Sequence, residues 1–188
     1  MEKIRTFIAI PLPDEVKLAL GNATQELATQ MPRQAVRWVR TDRMHLTLRF
    51  LGDTLLNSLP AIAAGLDRVA RDREPLLLRL DQLGCFPNLQ RPRVIWAGVR
   101  GGEKELQDLK RNIDELLLPL GWEPEDRPFR AHLTLGRVKE SRKLRDVAWK
   151  TELEPLPLPV TTLLFIESEL LPAGPRYTIR HTSRLAID

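Results

Sequence analysis

The chain has 188 residues, of which 43% are hydrophobic and 29% are charged, with a formal net charge of +4. These values indicate a globular protein with a hydrophobic core, and no apolar run approaches the roughly 20 residues needed to span a bilayer. The single cysteine, Cys85, excludes an internal disulfide and a cysteine-based metal site. Because residues 1–5 mix charged with apolar residues and do not resemble a signal peptide, we expect a cytoplasmic protein. Its positive charge favours a polyanionic partner.

Strand-like and helix-like patterns follow one another through the first half of the chain. Runs of β-branched and aromatic residues predict strands, and apolar residues three or four positions apart predict amphipathic helices. In chain order the predictions are a strand at 3–10, a helix from Asp14 to Met31, strands at 36–39 and 45–51, a helix that starts at Asn57 or Ser58, and strands at 76–83 and 93–99. Prolines and glycines near the segment ends support these boundaries.

The second half opens with a break at Gly101-Gly102 and a helix at 103–120, whose apolar residues share one side. A strand is predicted at 130–138 and a short helix at 141–149. Three prolines between residues 155 and 159 predict an extended connection. The last predicted elements are a hairpin with strands at 160–170 and 176–187, joined by residues 172–175.

The tetrapeptide His-Leu-Thr-Leu occurs twice, at residues 45–48 and 132–135, in a chain with three histidines. Its alternation of polar and apolar residues predicts a strand with the leucines on the core face and His and Thr together on the other. Near neutral pH an imidazole can accept or give a proton, and a threonine hydroxyl can donate a hydrogen bond to an oxyanion. One isolated copy would suggest a solvent-facing strand, but the repetition points to a site.

The order of predicted elements also repeats, so that residues 4–83 match 93–168 and the two motif histidines are 87 positions apart. We therefore predict a single domain over residues 1–188 that is built of two duplicated lobes. A twofold relation between the lobes would place the two His/Thr pairs opposite each other in one cleft. The prediction rests on the order of elements and on the motif, since extended identity between the halves is absent.

Two His-x-Thr-x motifs at this separation resemble the 2H phosphoesterase superfamily. The segments 45–52 (HLTLRFLG), 93–96 (RVIW), 132–137 (HLTLGR) and 176–178 (RYT) together look like the bacterial RNA 2',3'-cyclic phosphodiesterases, also called the 2'-5' RNA ligase family. The resemblance spans nearly the whole chain. It implies an α+β fold of two pseudo-symmetric lobes, each an antiparallel sheet with helices on its outer face, and an active-site cleft between them.

The resemblance implies hydrolysis of RNA 2',3'-cyclic phosphate ends to 2'-phosphates. His45 would be the proton donor to the leaving 3'-oxygen, and His132 would be the proton acceptor that activates water. Each proton transfer of this kind is typically worth about 10² to 10⁴ in rate. Thr47 and Thr134 would donate hydrogen bonds to nonbridging phosphate oxygens. ATP-independent 2'-5' ligation by the reverse chemistry is a further expectation.

For three further residues, the functional role implied by the resemblance has a purely structural alternative. Arg137 would bind phosphate by resemblance, but strict alternation from His132 puts it on the leucine face unless Gly136 permits a bulge; an ion pair is the alternative. Phe50 has the parity of the motif leucines, which favours core packing, whereas the resemblance suggests base stacking. Tyr177 would line the cleft or pack in a core strand.

No cofactor is expected, and no metal, because neither motif offers an acidic residue on its His/Thr face. The third histidine, His181, belongs to no motif copy and is interpreted as non-catalytic. The expected partner is RNA with a 2',3'-cyclic phosphate end; we expect a monomer with no membrane and no obligate protein partner. The alternatives are a 2H enzyme acting on another cyclic phosphate or a 2'-5' oligonucleotide, and an RNA-end-binding module without turnover.

Overall fold

A computed structural model describes residues 2–144 and 152–186 of the chain. The helices in this part are α1 (Asp14–Thr29), α2 (Leu59–Arg71) and α3 (Glu103–Leu117). The strands are β1 (Lys3–Pro11), β2 (Val36–Trp38), β3 (His45–Leu55), β4 (Leu76–Phe86), β5 (Val94–Arg100), β6 (His132–Val138), β7 (Glu152–Val160), β8 (Thr162–Leu171) and β9 (Gly174–Arg184). No described helix has both the length and the apolar character that a membrane crossing requires.

The strands form two sheets whose pairings are all antiparallel, which confirms the predicted α+β class. One sheet has the order β3-β1-β8-β9, and the other has the order β2-β6-β5-β4-β7. The two motif strands, β3 and β6, belong to different sheets and contact each other, with Cα atoms within 8 Å. The motifs therefore lie where the sheets meet.

Each half of the chain contributes strands to both sheets. β1 pairs with β3 and β5 pairs with β6, so each motif strand lies beside the first strand of its own half. β4, however, pairs with β5, and β8 pairs with β1. The segments 4–83 and 93–168 are therefore not one sheet each, because the short connection from β4 to β5 makes these consecutive strands neighbours. The duplication itself stays a prediction.

Helix α3 shows how local sequence sets the boundaries. Its acidic start at Glu103 and Glu105 suits the positive end of the helix dipole, and its buried face repeats at helical spacing. The α-helix ends at Leu117 and not at residue 120 as predicted, because Pro119 cannot donate the next backbone hydrogen bond. Residues Leu118–Leu120 form a 3-10 turn, and Gly121, at φ +98°, ends it.

The prediction of an extended connection through Pro155, Pro157 and Pro159 was wrong in one respect, because this segment is strand β7 on the edge of the larger sheet. The prolines lie two residues apart, so their missing N–H groups share one side of the strand. Residues 156–160 lie in register with β4, Pro157 and Pro159 included, and Leu158 and Val160 are buried. The prolines thus block the free edge against further strand pairing.

Other elements differ from the predictions at their ends. β3 continues to Leu55 through Gly52, whose φ of +69° lets the strand bend where an end was predicted. The hairpin from β8 to β9 is confirmed, with a shorter turn of residues 172–173. The helix predicted at 141–149 begins as a 3-10 turn, Ser141–Leu144, and residues 145–149 lie outside the described part of the chain.

Candidate active site

Each of the two motif strands has a leucine face and a His/Thr face. Leu46, Leu48, Leu133 and Leu135 all belong to the main hydrophobic cluster that spans both sheets. On β3, His45 and Thr47 lie opposite Pro11 and Ala9 of β1. On β6, His132 and Thr134 lie opposite Gly98 and Trp96 of β5. The predicted division into a leucine face and a His/Thr face is therefore present in both copies.

Both motif strands carry a bulge at the fourth motif residue. Arg49 pairs with Ile8 and Thr47 with Ala9, which leaves Leu48 as the extra residue of β3. In β6 the extra residue is Leu135, because Gly136 pairs with Ile95 and Thr134 with Trp96. An extra residue in one strand reverses the alternation beyond it. The sixth residue of each copy, Phe50 or Arg137, is therefore turned onto the His/Thr face.

The bulges decide two open questions about side-chain direction. Core packing of Phe50 was wrong: its side chain is 60% exposed, and its ring centroid lies 5.8 Å from that of Phe7 on the His/Thr face. Arg137 is exposed on the face of Thr134 and not on the leucine face. No described acidic side chain forms an ion pair with it. Both residues therefore face the side on which the histidines lie.

The two histidines are held by the same hydrogen bond. Nδ1 of His45 lies 2.9 Å from the carbonyl oxygen of Arg43, and Nδ1 of His132 lies 2.7 Å from that of Arg130. A carbonyl oxygen only accepts, so Nδ1–H donates in both cases. Each neutral ring then carries its lone pair on Nε2, which can accept a proton, and each imidazolium can give one from Nε2.

His45 lies among aromatic rings. It stacks on Phe7, with centroids 4.7 Å apart and an interplanar angle of 27°, and Tyr177 meets it edge-on at 5.4 Å. Burial lowers the pKa of His45 below its usual 6.5, and the hydrogen bond to Arg43 opposes that shift only in part. Tyr177 thus lines the side of His45 and also packs on the smaller cluster of Phe7, Ala9 and Ile166.

His132 has a more open environment. Phe86 meets its ring edge-on at 5.0 Å. The ring also lines a cavity of about 300 Å³ between β4, β5 and the start of α3, and His45 does not line that cavity. The cavity walls include Trp96, Phe129, Gln82 and Gln107. The surroundings of the two motif histidines thus differ in aromatic packing and in access.

Arginines on β6 and just before β3 place positive charge near Tyr177. Burial raises the pKa of Tyr177, while the charges of Arg43, before β3, and Arg137, on β6, act in the opposite direction. Arg37 pairs with Arg137 across β2 and β6. At Gly174, an added Cβ would collide with Arg43 Nη1 and would lie 3.5 Å from Arg37 Nη2. Arg137 of the second motif strand thus lies in the same region as Tyr177, which packs on the first motif histidine.

The described residues offer these three arginines no acidic partner. The side chains of Arg37, Arg43 and Arg137 make no ion pair or side-chain hydrogen bond within the described ranges 2–144 and 152–186. Guanidinium groups without an acidic partner are suited to bind an anion, and phosphate in particular accepts bidentate arginine contacts.

Some residues of this site escaped prediction. Arg43 and Arg130 precede their histidines by two positions, so the repeat is in fact Arg-x-His-Leu-Thr-Leu, a signal visible in the sequence. Phe7 and Phe86 had no such signal, because their contacts with the histidines depend on strand pairing.

A buried ionic network connects the first motif strand to the segment that leads to the second. Arg49, 5% exposed, places Nη1 3.5 Å from Asp114 of α3 and 3.4 Å from Glu125, and its Nη2 donates to the Glu123 carbonyl. Lys110, also buried, pairs with both of these carboxylates. Trp122 Nε1 donates to the Leu51 carbonyl at 2.8 Å.

His181 lies apart from the motifs. Its Nε2 and the hydroxyl of Ser183 are each 2.7 Å from Oδ1 of Asp67, which connects β9 to α2. These hydrogen bonds lower the pKa of Asp67. Among the described residues, no group of three or more His, Cys, Asp or Glu side chains is arranged to hold a metal ion. Cys85 is buried, and burial raises the pKa of its thiol.

Comparison with known proteins gives consistent matches over this architecture. A family model described as LigT like Phosphoesterase matches residues 10–96 and 99–177. The RNA 2',3'-cyclic phosphodiesterase of Methanothermobacter thermautotrophicus is 32% identical over 97% of this chain and 100% of its own length. That of Geobacillus stearothermophilus is 34% identical over 73% of this chain, and the match spans 43% of the Geobacillus protein.

A crystal structure of E. coli LigT complexed with 3'-AMP superimposes with a TM-score of 0.82 and 28% identity, covering 99% of this chain and 100% of that one. The family match, the relatives and the shared fold all agree with the resemblance noted in the sequence. The chain therefore belongs to the LigT-like phosphoesterase family.

Proposed function

We propose that this protein hydrolyses RNA 2',3'-cyclic phosphate ends to 2'-phosphates by metal-independent catalysis with two histidines. Relatives that share a third of its sequence are named RNA 2',3'-cyclic phosphodiesterases, which supports this enzyme class. The observation that carries the mechanism is the matched pair of histidines, each with Nδ1–H donated to a backbone carbonyl and Nε2 left for proton transfer. Neither cofactor nor nucleotide energy is required.

In the proposed reaction His132 Nε2 takes a proton from a water molecule, whose oxygen attacks phosphorus in line with the bond to the ribose 3'-oxygen. That bond breaks, and His45 Nε2 gives its proton to the leaving oxygen. The product keeps phosphate on the 2'-oxygen. One proton enters at His132 and one leaves at His45, so the pair is reset when protons exchange with solvent.

Thr47, Thr134 and Arg137 supply the charge stabilisation. The two hydroxyls lie on the same face as the histidines, two residues away in each strand, and Arg137 is turned onto that face by the bulge. Donors held in place before the reaction stabilise charge on the nonbridging oxygens without reorganisation. Arg137 contributes a charge-assisted contact, which is stronger than one between neutral groups.

The base of the terminal nucleotide would lie on the His45 side, where Phe50 offers an exposed ring. Phe50 is supported by the buried ring of Phe7, which also contacts Tyr177, with centroid separations of 5.8 and 5.3 Å. Stacking on such rings accepts any base. The Tyr177 hydroxyl, close to two arginines, would contact the phosphate or ribose.

The direction of proton transfer follows the family resemblance, and the lowered pKa of His45 bears on it. A lowered pKa makes the imidazolium a stronger acid but reduces the protonated fraction of the free enzyme near neutral pH. A bound phosphodiester anion beside His45 favours the charged ring and raises its pKa again.

The decisive experiment is incubation with a short RNA that ends in a 2',3'-cyclic phosphate, with the product identified by phosphorus NMR. We expect a 2'-phosphate, formed at the same rate with and without a chelator. A strict need for a divalent metal would reject the mechanism, and a 3'-phosphate would reject the regiochemistry. Size measurements in solution should give a monomer, and localisation of the tagged protein should give a cytoplasmic signal.

The same experiment separates the alternatives. An enzyme for another cyclic phosphate or a 2'-5' oligonucleotide would leave the RNA end intact and turn over those substrates instead. A binding module would bind the RNA end without any product, and its His45→Ala and His132→Ala variants would keep the affinity of the parent. Joining of a cyclic phosphate end to a 5'-hydroxyl end without ATP, in which the 5'-hydroxyl attacks phosphorus in place of water and the bond to the 3'-oxygen breaks, would show the proposed ligase activity.

A further inference from the structure

The cavity beside His132 has the lining of a nucleobase site. Three aromatic rings border it, those of Phe86, Trp96 and Phe129, and the side-chain amides of Gln82 and Gln107 add donors and acceptors. Its volume of about 300 Å³ reaches the lower end of the range of small-molecule sites. Aromatic faces bind bases by stacking, and amide groups match the hydrogen-bonding edges of bases.

The sheet leaves this space open next to the histidine. Gln82, Gly98 and His132 lie in register across β4, β5 and β6, so the residue between the glutamine and the histidine has no side chain. A Cβ at Gly98 would come within 2.8 Å of Gln82 and 2.9 Å of the Trp96 ring. Glycine at this position therefore allows the indole to lie close to the sheet surface.

Trp96 also carries a donor with no described partner. Its Nε1 is buried, and no group within residues 2–144 and 152–186 accepts a hydrogen bond from it. The rest of the ring lines the cavity and packs on Phe86, with centroids 5.2 Å apart. Because Nε1 is inaccessible, a molecule in the cavity would contact the ring by stacking and would not accept a hydrogen bond from this donor.

We propose that this cavity binds the nucleoside that carries the 5'-oxygen of a 2'-5' phosphodiester. The inference rests on the proposed function, in which His132 serves the oxygen that attacks phosphorus. In-line geometry places the attacking oxygen and the leaving 3'-oxygen on opposite sides of phosphorus, with His132 on the attacking side. Whatever is bonded to the attacking oxygen must then extend past His132, where the cavity lies.

The chemistry is balanced in both directions. In joining, the nucleoside 5'-hydroxyl attacks phosphorus, His132 takes its proton, the bond to the 3'-oxygen breaks, and His45 protonates that oxygen. In cleavage, the 3'-hydroxyl gives its proton to His45 and attacks phosphorus, and the departing 5'-oxygen takes a proton from His132. Water replaces the nucleoside in the hydrolysis of the cyclic phosphate, so that step does not use the cavity.

The test compares three substrates: adenylyl-2',5'-adenosine, adenosine 2',3'-cyclic phosphate, and a 3'-5' dinucleotide that ends in a 2',3'-cyclic phosphate. The variant Gln107→Trp places a bulky ring at the mouth of the cavity from an exposed position of α3, and Gln25→Trp on α1 is the matched control. Trp96→Leu removes the stacking surface. We expect both cavity variants to lower kcat/KM about tenfold more for adenylyl-2',5'-adenosine than for adenosine 2',3'-cyclic phosphate.

Each other outcome rejects the assignment. Equal losses on the first two substrates would show that the cavity only supports His132, and a selective loss on the cyclic-ended dinucleotide would assign the cavity to the upstream nucleotide. A parent protein that opens cyclic phosphates but not the 2'-5' linkage, or a Gln107→Trp variant as active as the control on every substrate, would also reject it. Failure of the parent on all three substrates would instead overturn the proposed function.

Discussion

The two copies of His-Leu-Thr-Leu have identical residues and the same bulge, yet their surroundings differ. His45 is packed against Phe7 and Tyr177, whereas His132 meets Phe86 and opens on a cavity. Beyond the bulge the first copy continues with Arg49-Phe50 and the second with Gly136-Arg137. Identical motifs thus acquire different neighbours from the strands beside them, and burial among these neighbours lowers the pKa of His45.

The sixth residues of the two motif copies differ most clearly in side-chain chemistry. Phe50 and Arg137 have equivalent places after equivalent bulges, and both face the His/Thr side. The first offers an apolar ring and the second a positive charge. One copy is therefore suited to hold a base, and the other is suited to hold phosphate.

The largest expected effect comes from the histidines. His45→Ala and His132→Ala should each lower kcat on an RNA 2',3'-cyclic phosphate end by about 10² to 10⁴, because each removes one proton transfer. The double variant should be little slower than the slower single variant, since the two residues act together. Steady-state rates give the measurement, and His181→Ala, which alters a contact with Asp67 of α2, is the control. A loss confined to one of the motif histidines would break the proposed equivalence.

The next largest effect is expected at Arg137, the sixth residue of the second motif copy. Arg137→Ala should lower kcat/KM about 10²-fold, because it removes a charged donor to the transition-state phosphate, and Arg137→Lys should recover part of the loss. Arg79→Ala, which removes an exposed guanidinium paired with Asp81 on β4, is the matched control. If Arg137→Ala performed like Arg79→Ala, Arg137 would have no role in binding phosphate.

The fifth residues of the two motif copies, Arg49 and Gly136, should differ in how much they contribute to the stability of the protein. Arg49→Met should reduce the free energy of unfolding by about 3 kcal/mol, because the partly buried Asp114 and the more exposed Glu125 would then share the buried Lys110 alone. Lys17→Met, which breaks an exposed pair with Asp14, should cost less than about 1 kcal/mol. Urea unfolding at pH 7 measures both. A loss for Arg49→Met no larger than that for Lys17→Met would show that the network contributes little to stability.

The smallest effect concerns pH. Tyr177→Ser exposes one edge of His45, so the pKa of His45 should rise towards its usual 6.5. If His45 is the proton donor, kcat/KM falls as pH rises through this pKa, and the alkaline limb of the pH profile moves to higher pH. Movement of the acid limb instead would make His45 the proton acceptor. Tyr177→Phe, which keeps the ring, is the control.

The burial of His45 also affects stability. Because its pKa is lowered in the folded state, the unfolded chain binds more protons between that lowered value and 6.5. The free energy of unfolding therefore increases as pH rises through this window and decreases as pH falls through it. In Tyr177→Ser the dependence should weaken, which denaturant titrations at several pH values would detect.

Much of the fold followed from local patterns. The strand at β1, the helices α1 and α3 and the C-terminal hairpin were predicted close to their observed limits, because hydrophobic period and proline or glycine positions act over a few residues. Strand β7 was missed because prolines argue against a strand unless its position in the sheet is known, and only an edge position tolerates them.

For the candidate site, the sequence predicts the motif residues but not the aromatic residues that surround them. His45, Thr47, His132 and Thr134 are predicted as site residues because the motif repeats, and the common face of each His/Thr pair follows from a period of two. The direction of Phe50 could not be predicted, because a bulge depends on which residues of the neighbouring strand are paired. The same limitation applies to Phe7 and Phe86, which contact the histidines across strands that are distant in sequence.

By itself the sequence determined the family, the two motifs and their polar faces, because these depend on residue identity and on spacing within a single strand. Tertiary structure alone decided how the copies differ: which rings surround each histidine, where the bulges turn Phe50 and Arg137, and that a cavity opens beside His132. Those features arise from pairing between strands far apart in the chain, and the pattern within one strand does not specify such pairing.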